Sequence, residues 1–112
     1  MSVLSSMIAA CCGFRFSICD EEGDEVGHAY FYVMTNDLHE RPFGLLEDLY
    51  VEEANRGQGY GSTLHAAVVA KARELDCYKL LATSRYSRPE VHAMYEHYGY
   101  KDYGKEFRLN LD

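Results

Sequence analysis

Cations are scarce in this chain: 11 Lys and Arg residues stand against 18 Asp and Glu, a formal net charge of −7 over 112 residues. No basic patch stands out against that balance, which argues against a nucleic-acid partner, because phosphate backbones are held by clustered Lys and Arg. An acidic surface suits cationic or amine partners, although it also serves solubility alone. No apolar run approaches the roughly 20 residues of a membrane-spanning helix, so no membrane association is expected. The cysteines, Cys11, Cys12, Cys19 and Cys77, form no C-x-x-C pair and no zinc-like His/Cys spacing. They are expected as reduced thiols, packed as small buried hydrophobes in a cytoplasmic protein. Low-complexity segments, repeats and linkers are also missing, so residues 1–112 read as one domain. Ile8-Ala9-Ala10-Cys11 resembles a lipoprotein cleavage box, but no Lys or Arg precedes it and the apolar stretch is short; it is read as mature chain.

Hydrophobic residues make up 47% of the sequence and charged ones 26%, enough apolar material for a core and too much for a disordered acidic tail. Phe14–Cys19 and Val26–Met34 read as strands, joined by the polar turn Asp20-Glu-Glu-Gly-Asp24 into an antiparallel hairpin. Thr35–Phe43, with Pro42, is a loop. Gly44–Val51 is a third strand, placing Leu45, Glu47, Leu49 and Val51 on one face and Leu46, Asp48 and Tyr50 on the other. From Tyr60 the period becomes helical, with Leu64, Ala67, Val68, Ala72 and Leu75 on one stripe and Lys71 and Arg73 near the C-terminal end. Tyr78–Thr83 is a fourth strand. Ser87-Arg-Pro-Glu90 has the pattern of a capping box opening a second helix, whose stripe is Val91, Met94, Tyr95 and Tyr98 and whose stop is Gly99. Tyr100–Tyr103 and Phe107–Leu111 suggest two last short strands. The strand–helix–strand step implies an α+β (α/β) fold: a mixed, mostly antiparallel sheet with one central parallel strand pair, flanked by two helices.

The most specific local signal is Arg56-Gly57-Gln58-Gly59-Tyr60-Gly61, followed by Ser62, between a strand and a helix. Its glycines let the backbone turn sharply and approach a ligand closely. Backbone N–H groups at a helix N-terminus then suit an anion such as a pyrophosphate, with Arg56 as a cation at the mouth. The dinucleotide fingerprint fails because Ser62 stands where its third glycine would be, and the phosphate loop of nucleotide triphosphatases fails for want of its lysine.

The segment R-G-Q-G-Y-G resembles the acyl-CoA-binding signature Q/R-x-x-G-x-G/A of the GNAT superfamily of N-acetyltransferases. Leu46-Glu-Asp-Leu-Tyr-Val51 looks like that family's fourth strand, and Met94-Tyr-Glu-His-Tyr-Gly-Tyr100 like its second signature. The resemblance runs from about Phe14 to Leu111. It implies an acyl-CoA N-acyltransferase-like fold in a short form, with most of the usual N-terminal strand and helices missing before Phe14. Arg88 stands where the family often has Asn.

The same resemblance implies acetyl-CoA as cosubstrate, held by Gly57–Ser62, and main-chain bonds from Leu49, Tyr50 and Val51 to the pantetheine arm and acetyl carbonyl. Acetyl transfer to an amine needs a base, because an alkylammonium has a pKa near 10.4. Glu47 and Asp48 are the candidates, and they point to opposite faces of an ideal strand unless a bulge intervenes. L-E-D-L-Y-V looks like the corresponding run of diamine acetyltransferases, which favours Glu47, direct or through a water. Tyr95, at the second signature's tyrosine, is the candidate acid for the leaving thiolate. Asp37, Glu40, Glu47, Asp48, Glu52 and Glu53 point to a small cationic amine as acceptor. The histidines show no ligand spacing; His92 and His97 are five apart and share no helix face, so no metal is expected. Two alternatives stand beside the enzyme: a non-catalytic acyl-CoA-binding module, and an acetyltransferase whose acceptor wall is completed by a second copy in a homodimer.

Overall fold

Alternating side chains build the first hairpin. In the computed structural model, which describes residues 1–112, β1 (Cys12–Cys19) pairs antiparallel with β2 (Glu25–Met34). Phe14, Phe16 and Ile18 lie opposite Phe31, Ala29 and Gly27 on one face, while Arg15 and Ser17 lie opposite Tyr30 and His28 on the other. The turn between them is closed by Asp20, whose carboxylate accepts the N–H groups of Glu22 and Asp24 at 2.9 and 3.0 Å. Gly23 takes the positive φ of +89° that this turn requires.

β3 (Phe43–Val51) continues the sheet antiparallel to β2, and β4 (Leu80–Ala82) joins β3 in parallel, giving the order β1-β2-β3-β4. The parallel step is made by α1 (Tyr60–Glu74). Leu64, His65, Val68 and Ala72 are its buried residues, and with Val26, Ala29, Phe31, Val33 and Leu46 they make the core. The face with Phe14, Phe16 and Phe31 is therefore the covered one. α1 ends in a Schellman turn: the N–H of Asp76 reaches Arg73 O and that of Cys77 reaches Ala72 O, with Asp76 at φ +59° in the place glycine usually takes.

These elements belong to one compact unit, Met1–Ala82; a second, Thr83–Asp112, carries α2 (Pro89–His97). Val91, Met94, Tyr95 and Tyr98 are half-buried along α2, as their spacing predicts. Gly99 at φ +99° and the bond from Tyr100 N–H to Tyr95 O close the helix in a second Schellman turn. The capping box does not form. The N-cap is Arg88 rather than Ser87, Pro89 fills the first helical position, and the Glu90 carboxylate accepts from Arg88 Nε at 3.0 Å.

Other expectations are corrected. Tyr100–Tyr103 and Phe107–Leu111 form no strand, and residues 101–112 are exposed throughout; alternation supplies an apolar face, but a strand exists only where a neighbour completes its hydrogen bonds. β4 is shorter than Tyr78–Thr83, and a 3₁₀ turn at Glu53–Asn55 follows β3. Cys11, Cys12 and Cys19 are exposed rather than buried, because β1 is the sheet's edge strand and these residues lie at or beyond its ends; Cys77 is half-buried. All four cysteines are free. No helix is long and apolar enough to cross a membrane.

Candidate active site

The site begins with an irregularity in β3. Tyr30 pairs with Glu47 and His28 pairs with Tyr50, so Ala29 alone on β2 faces Asp48 and Leu49 on β3. This is a β-bulge, and Asp48 holds it with φ +50°, a left-handed conformation that Asp tolerates better than most residues. The extra residue reverses the faces expected for an ideal strand. Glu47 and Tyr50 now share the face of Tyr30 and His28, whereas Val51, opposite Gly27, joins Leu46 on the α1 face. Glu47 is half-buried; Asp48 is exposed. The bulge thus separates the two carboxylates by environment.

The face opposite α1 carries a run of polar and aromatic groups. Arg15 binds both oxygens of Glu25 at 2.8 Å and donates from Nε to Tyr30 Oη at 3.1 Å. These bonds hold the Glu25 carboxyl below the usual carboxylate range. The His28 ring lies edge-on to Tyr30 at 5.7 Å and stacks on Tyr50 at 5.5 Å. The Arg56 guanidinium lies 5.6 Å over the other partner of that stack, Tyr50.

Pairing between β3 and β4 stops at Leu46↔Ala82, while β3 runs on to Val51. The β4 ladder therefore leaves the main chain of Leu49, Tyr50 and Val51 without a register partner on that side. Arg56 Nε donates to Val51 O at 2.8 Å, tying the start of the glycine loop to the end of this strand. Arg56 is thus a strut as well as a cation at the mouth.

Gly57 and Gly59 have φ of +80° and +89°, and a Cβ at either would meet nothing within 4 Å. The loop is open above its backbone. Gly59 is also the N-cap of α1, which has no side-chain cap bond and no acidic residue in its first turn. The first intrahelical bond runs from Thr63 N–H to Gly59 O at 3.0 Å. The N–H groups of the first turn, from Tyr60 and Gly61 onward, are directed out along the helix axis. Residues 57–62 therefore fit a diphosphate, whose charge complements the positive end of α1. Gly61 lies inside the helix and Ser62 is exposed.

Tyr95 lies in the second unit, half-buried, with its ring 5.1 Å from Tyr100 in a T-shaped contact. Burial pushes the Tyr100 phenol well above its usual range, with Tyr95 and Tyr98 adding to the effect. Of the acidic residues expected to attract an amine, Asp37 and Glu40 precede β3 and Glu52 and Glu53 follow it; they lie towards opposite ends of one strand and do not gather around Glu47.

Sequence reasoning missed Arg15, His28 and Tyr30. The alternation Tyr30, His28 on β2 is visible in the sequence, but only the bulged register shows that it meets Glu47 and Tyr50.

The comparisons accord with this geometry. The sequence model of the Acetyltransferase (GNAT) family matches residues 6–100. Aminoglycoside N(6')-acetyltransferase type 1 of Stenotrophomonas maltophilia is 33% identical over 116 residues, spanning 97% of this chain and 74% of that protein. An acetyltransferase structure from Trypanosoma brucei superposes with a TM-score of 0.79 at 26% identity, covering 88% of this chain and 69% of the other. Glucosamine-6-phosphate N-acetyltransferase of Arabidopsis thaliana shares the fold, with a TM-score of 0.80 at 18% identity over 89% of this chain and 67% of that one. The chain spans about two thirds of the length of such structures.

Proposed function

The chain belongs to the acetyltransferase (GNAT) family, and from that premise we propose that it transfers acetyl from acetyl-CoA to the primary amine of a small cationic acceptor, by direct attack in a ternary complex. The observation that carries this reading is the glycine loop: two left-handed glycines, open above the backbone, at the uncapped start of a 15-residue helix. When bound there, acetyl-CoA supplies the thioester. Residues 57–62 hold its diphosphate, and Leu49–Val51 offer main-chain bonds to the pantetheine arm, with a backbone N–H for the oxyanion.

Glu47 takes the ammonium proton, directly or through a water, because its pairing with Tyr30 sets it half-buried on the polar-aromatic face while Asp48 stays in solvent. Tyr95 protonates the departing thiolate, a role carried by its place in the second signature. The aminoglycoside acetyltransferase relative supports an acceptor with amino groups on a polyhydroxylated frame, for which Tyr30 and Tyr50 offer ring faces and Glu47 a carboxylate.

Mixing the protein with acetyl-CoA and a panel of aminoglycosides, polyamines and amino acids, and following free thiol, tests the proposal. Thiol release that depends on one class of amine supports it. Coenzyme A binding without release on any amine would instead leave an acyl-CoA-binding module.

A further inference from the structure

The polar-aromatic face holds an imidazole to which the reading above gives no chemical task. His28 is half-buried between two phenols, 5.5 Å from the Tyr50 ring and 5.7 Å from the Tyr30 ring. Tyr30 is the direct cross-strand partner of Glu47. His28, two residues along the same strand, is therefore the diagonal neighbour of Glu47 on one face, at about 7–8 Å between residue positions. Two side chains, or side chains and one water, close such a gap.

Proton transfer from an alkylammonium to a carboxylate is steeply uphill, since their ordinary pKa values are about 10.4 and 4.3. An imidazole, ordinarily about 6.5, lies between them and exchanges protons readily with water near neutrality. We propose that His28 is the relay residue for Glu47: it takes the acceptor's proton from the Glu47 carboxyl and releases it to solvent, returning Glu47 to its ionised form for each turnover. The inference rests on the transferase reading.

The balance is complete without further reagents. The ammonium loses one proton through Glu47 and His28 to water. The amine lone pair forms the C–N bond and the tetrahedral oxyanion. Collapse breaks the C–S bond; Tyr95 gives its proton to the thiolate, and the second nitrogen proton restores the Tyr95 phenol. The products are the amide, coenzyme A thiol and one proton in solution.

The groups around His28 suit this task. Ser17 lies opposite it on β1, and Arg15 and Glu25 neutralise one another beside it. Tyr30 flanks it on β2, Glu47 and Tyr50 face it from β3, and Arg56 lies beyond the Tyr50 ring. Asp48 is turned out in the bulge and exposed; α1 lies on the other face. With Glu25 bound at both oxygens by Arg15, Glu47 is the carboxylate of this face placed to exchange a proton with the ring.

The test compares wild type, His28→Gln, His28→Asn and Glu47→Gln over a pH series, using primary amines whose ammonium pKa falls from about 10 to about 7. For strongly basic amines, kcat of His28→Gln is expected to fall about 10²-fold, with the amine KM and the coenzyme A Kd near wild type. The pH dependence of its kcat should differ from that of wild type, and the deficit should shrink towards unity as the acceptor becomes less basic. A packing role would give the same deficit for every amine, and that result, or an unchanged profile in both His28 variants, overturns the relay while leaving the transferase intact. Unchanged coenzyme A affinity in the variants shows that they are folded. Wild type that releases no thiol with any amine overturns the transferase reading, and the relay with it.

Discussion

Tyr50 stacks on His28 across the β2–β3 ladder, ring centroids 5.5 Å apart and 29° from parallel. They meet because Asp48 and Leu49 together face a single residue of β2. Without the bulge, Leu49 would oppose His28, Tyr50 would point to the α1 side, and Glu47 and Tyr50 would stand on opposite faces. A single left-handed residue thus sets the composition of the polar-aromatic surface around Glu47.

That dependence makes Asp48 a sensitive position. At φ +50°, Asp48→Gly is expected to keep stability within about 1 kcal/mol of wild type and to keep activity, since glycine reaches this conformation without a Cβ penalty. Asp48→Val should lose about 1–2 kcal/mol from the left-handed strain and should lower amine-dependent turnover as the bulge relaxes. Urea midpoints and thiol release measure the two effects; a Val variant matching wild type in both would show that the bulge does not depend on residue 48.

Two strand glycines are needed for space rather than for φ. A Cβ on Gly27 would stand 2.8 Å from Tyr50 O, and one on Gly44 would run into the Phe31 ring. Gly27→Ala and Gly44→Ala should each destabilise by about 1–3 kcal/mol, read from chemical denaturation. Gly27→Ala should also impair turnover, because it displaces the Tyr50 backbone.

His65 gives the fold an acid-sensitive component. It is 6% exposed in the core, and burial lowers its pKa below the ordinary value of 6.5. The unfolded chain therefore binds its proton more readily than the folded one. This contribution is fully present above about pH 6.5 and is lost as pH falls from there through the folded-state pKa. Thermal midpoints should decline between pH 7.5 and 5.5, and His65→Leu should flatten that decline whatever its effect at pH 7.5. An equally steep decline in the variant would place the sensitivity elsewhere.

The loop can be probed with the smallest side chain. Gly59→Ala adds a methyl that meets no protein atom within 4 Å, at a left-handed strain of about 1–2 kcal/mol. A diphosphate lying on the backbone would meet it. Calorimetry should show coenzyme A affinity reduced tenfold or more while the protein remains folded, and an unaltered Kd would remove the loop from the binding site.

The base and acid proposed for the transfer can be tested one at a time. Glu47→Gln should lower kcat/KM by about 10²–10⁴-fold and change its pH dependence. Tyr95→Phe should lower kcat with coenzyme A affinity retained. Unchanged turnover in Tyr95→Phe would assign the thiolate's proton to another source.

Much of this was legible in the chain itself. Period-two alternation at 14–19 and 26–34, the helical stripe of Leu64, Val68 and Ala72, and three glycines between strand and helix are local signals, fixed by backbone geometry and burial, and they identified the sheet, α1 and the glycine turn that opens it. Non-local decisions were not written there. Phe107, Leu109 and Leu111 alternate as a strand would, yet form none, because a strand requires another strand beside it. Glu47, Asp48 and Tyr50 alternate in the sequence, but the partner strand decides their faces, and one extra residue in the ladder inverted the expected pattern. The sequence by itself determined which segments turn, coil and bury; the register between β2 and β3, a property of two segments together, alone decided that Glu47, His28, Tyr30 and Tyr50 would share one surface.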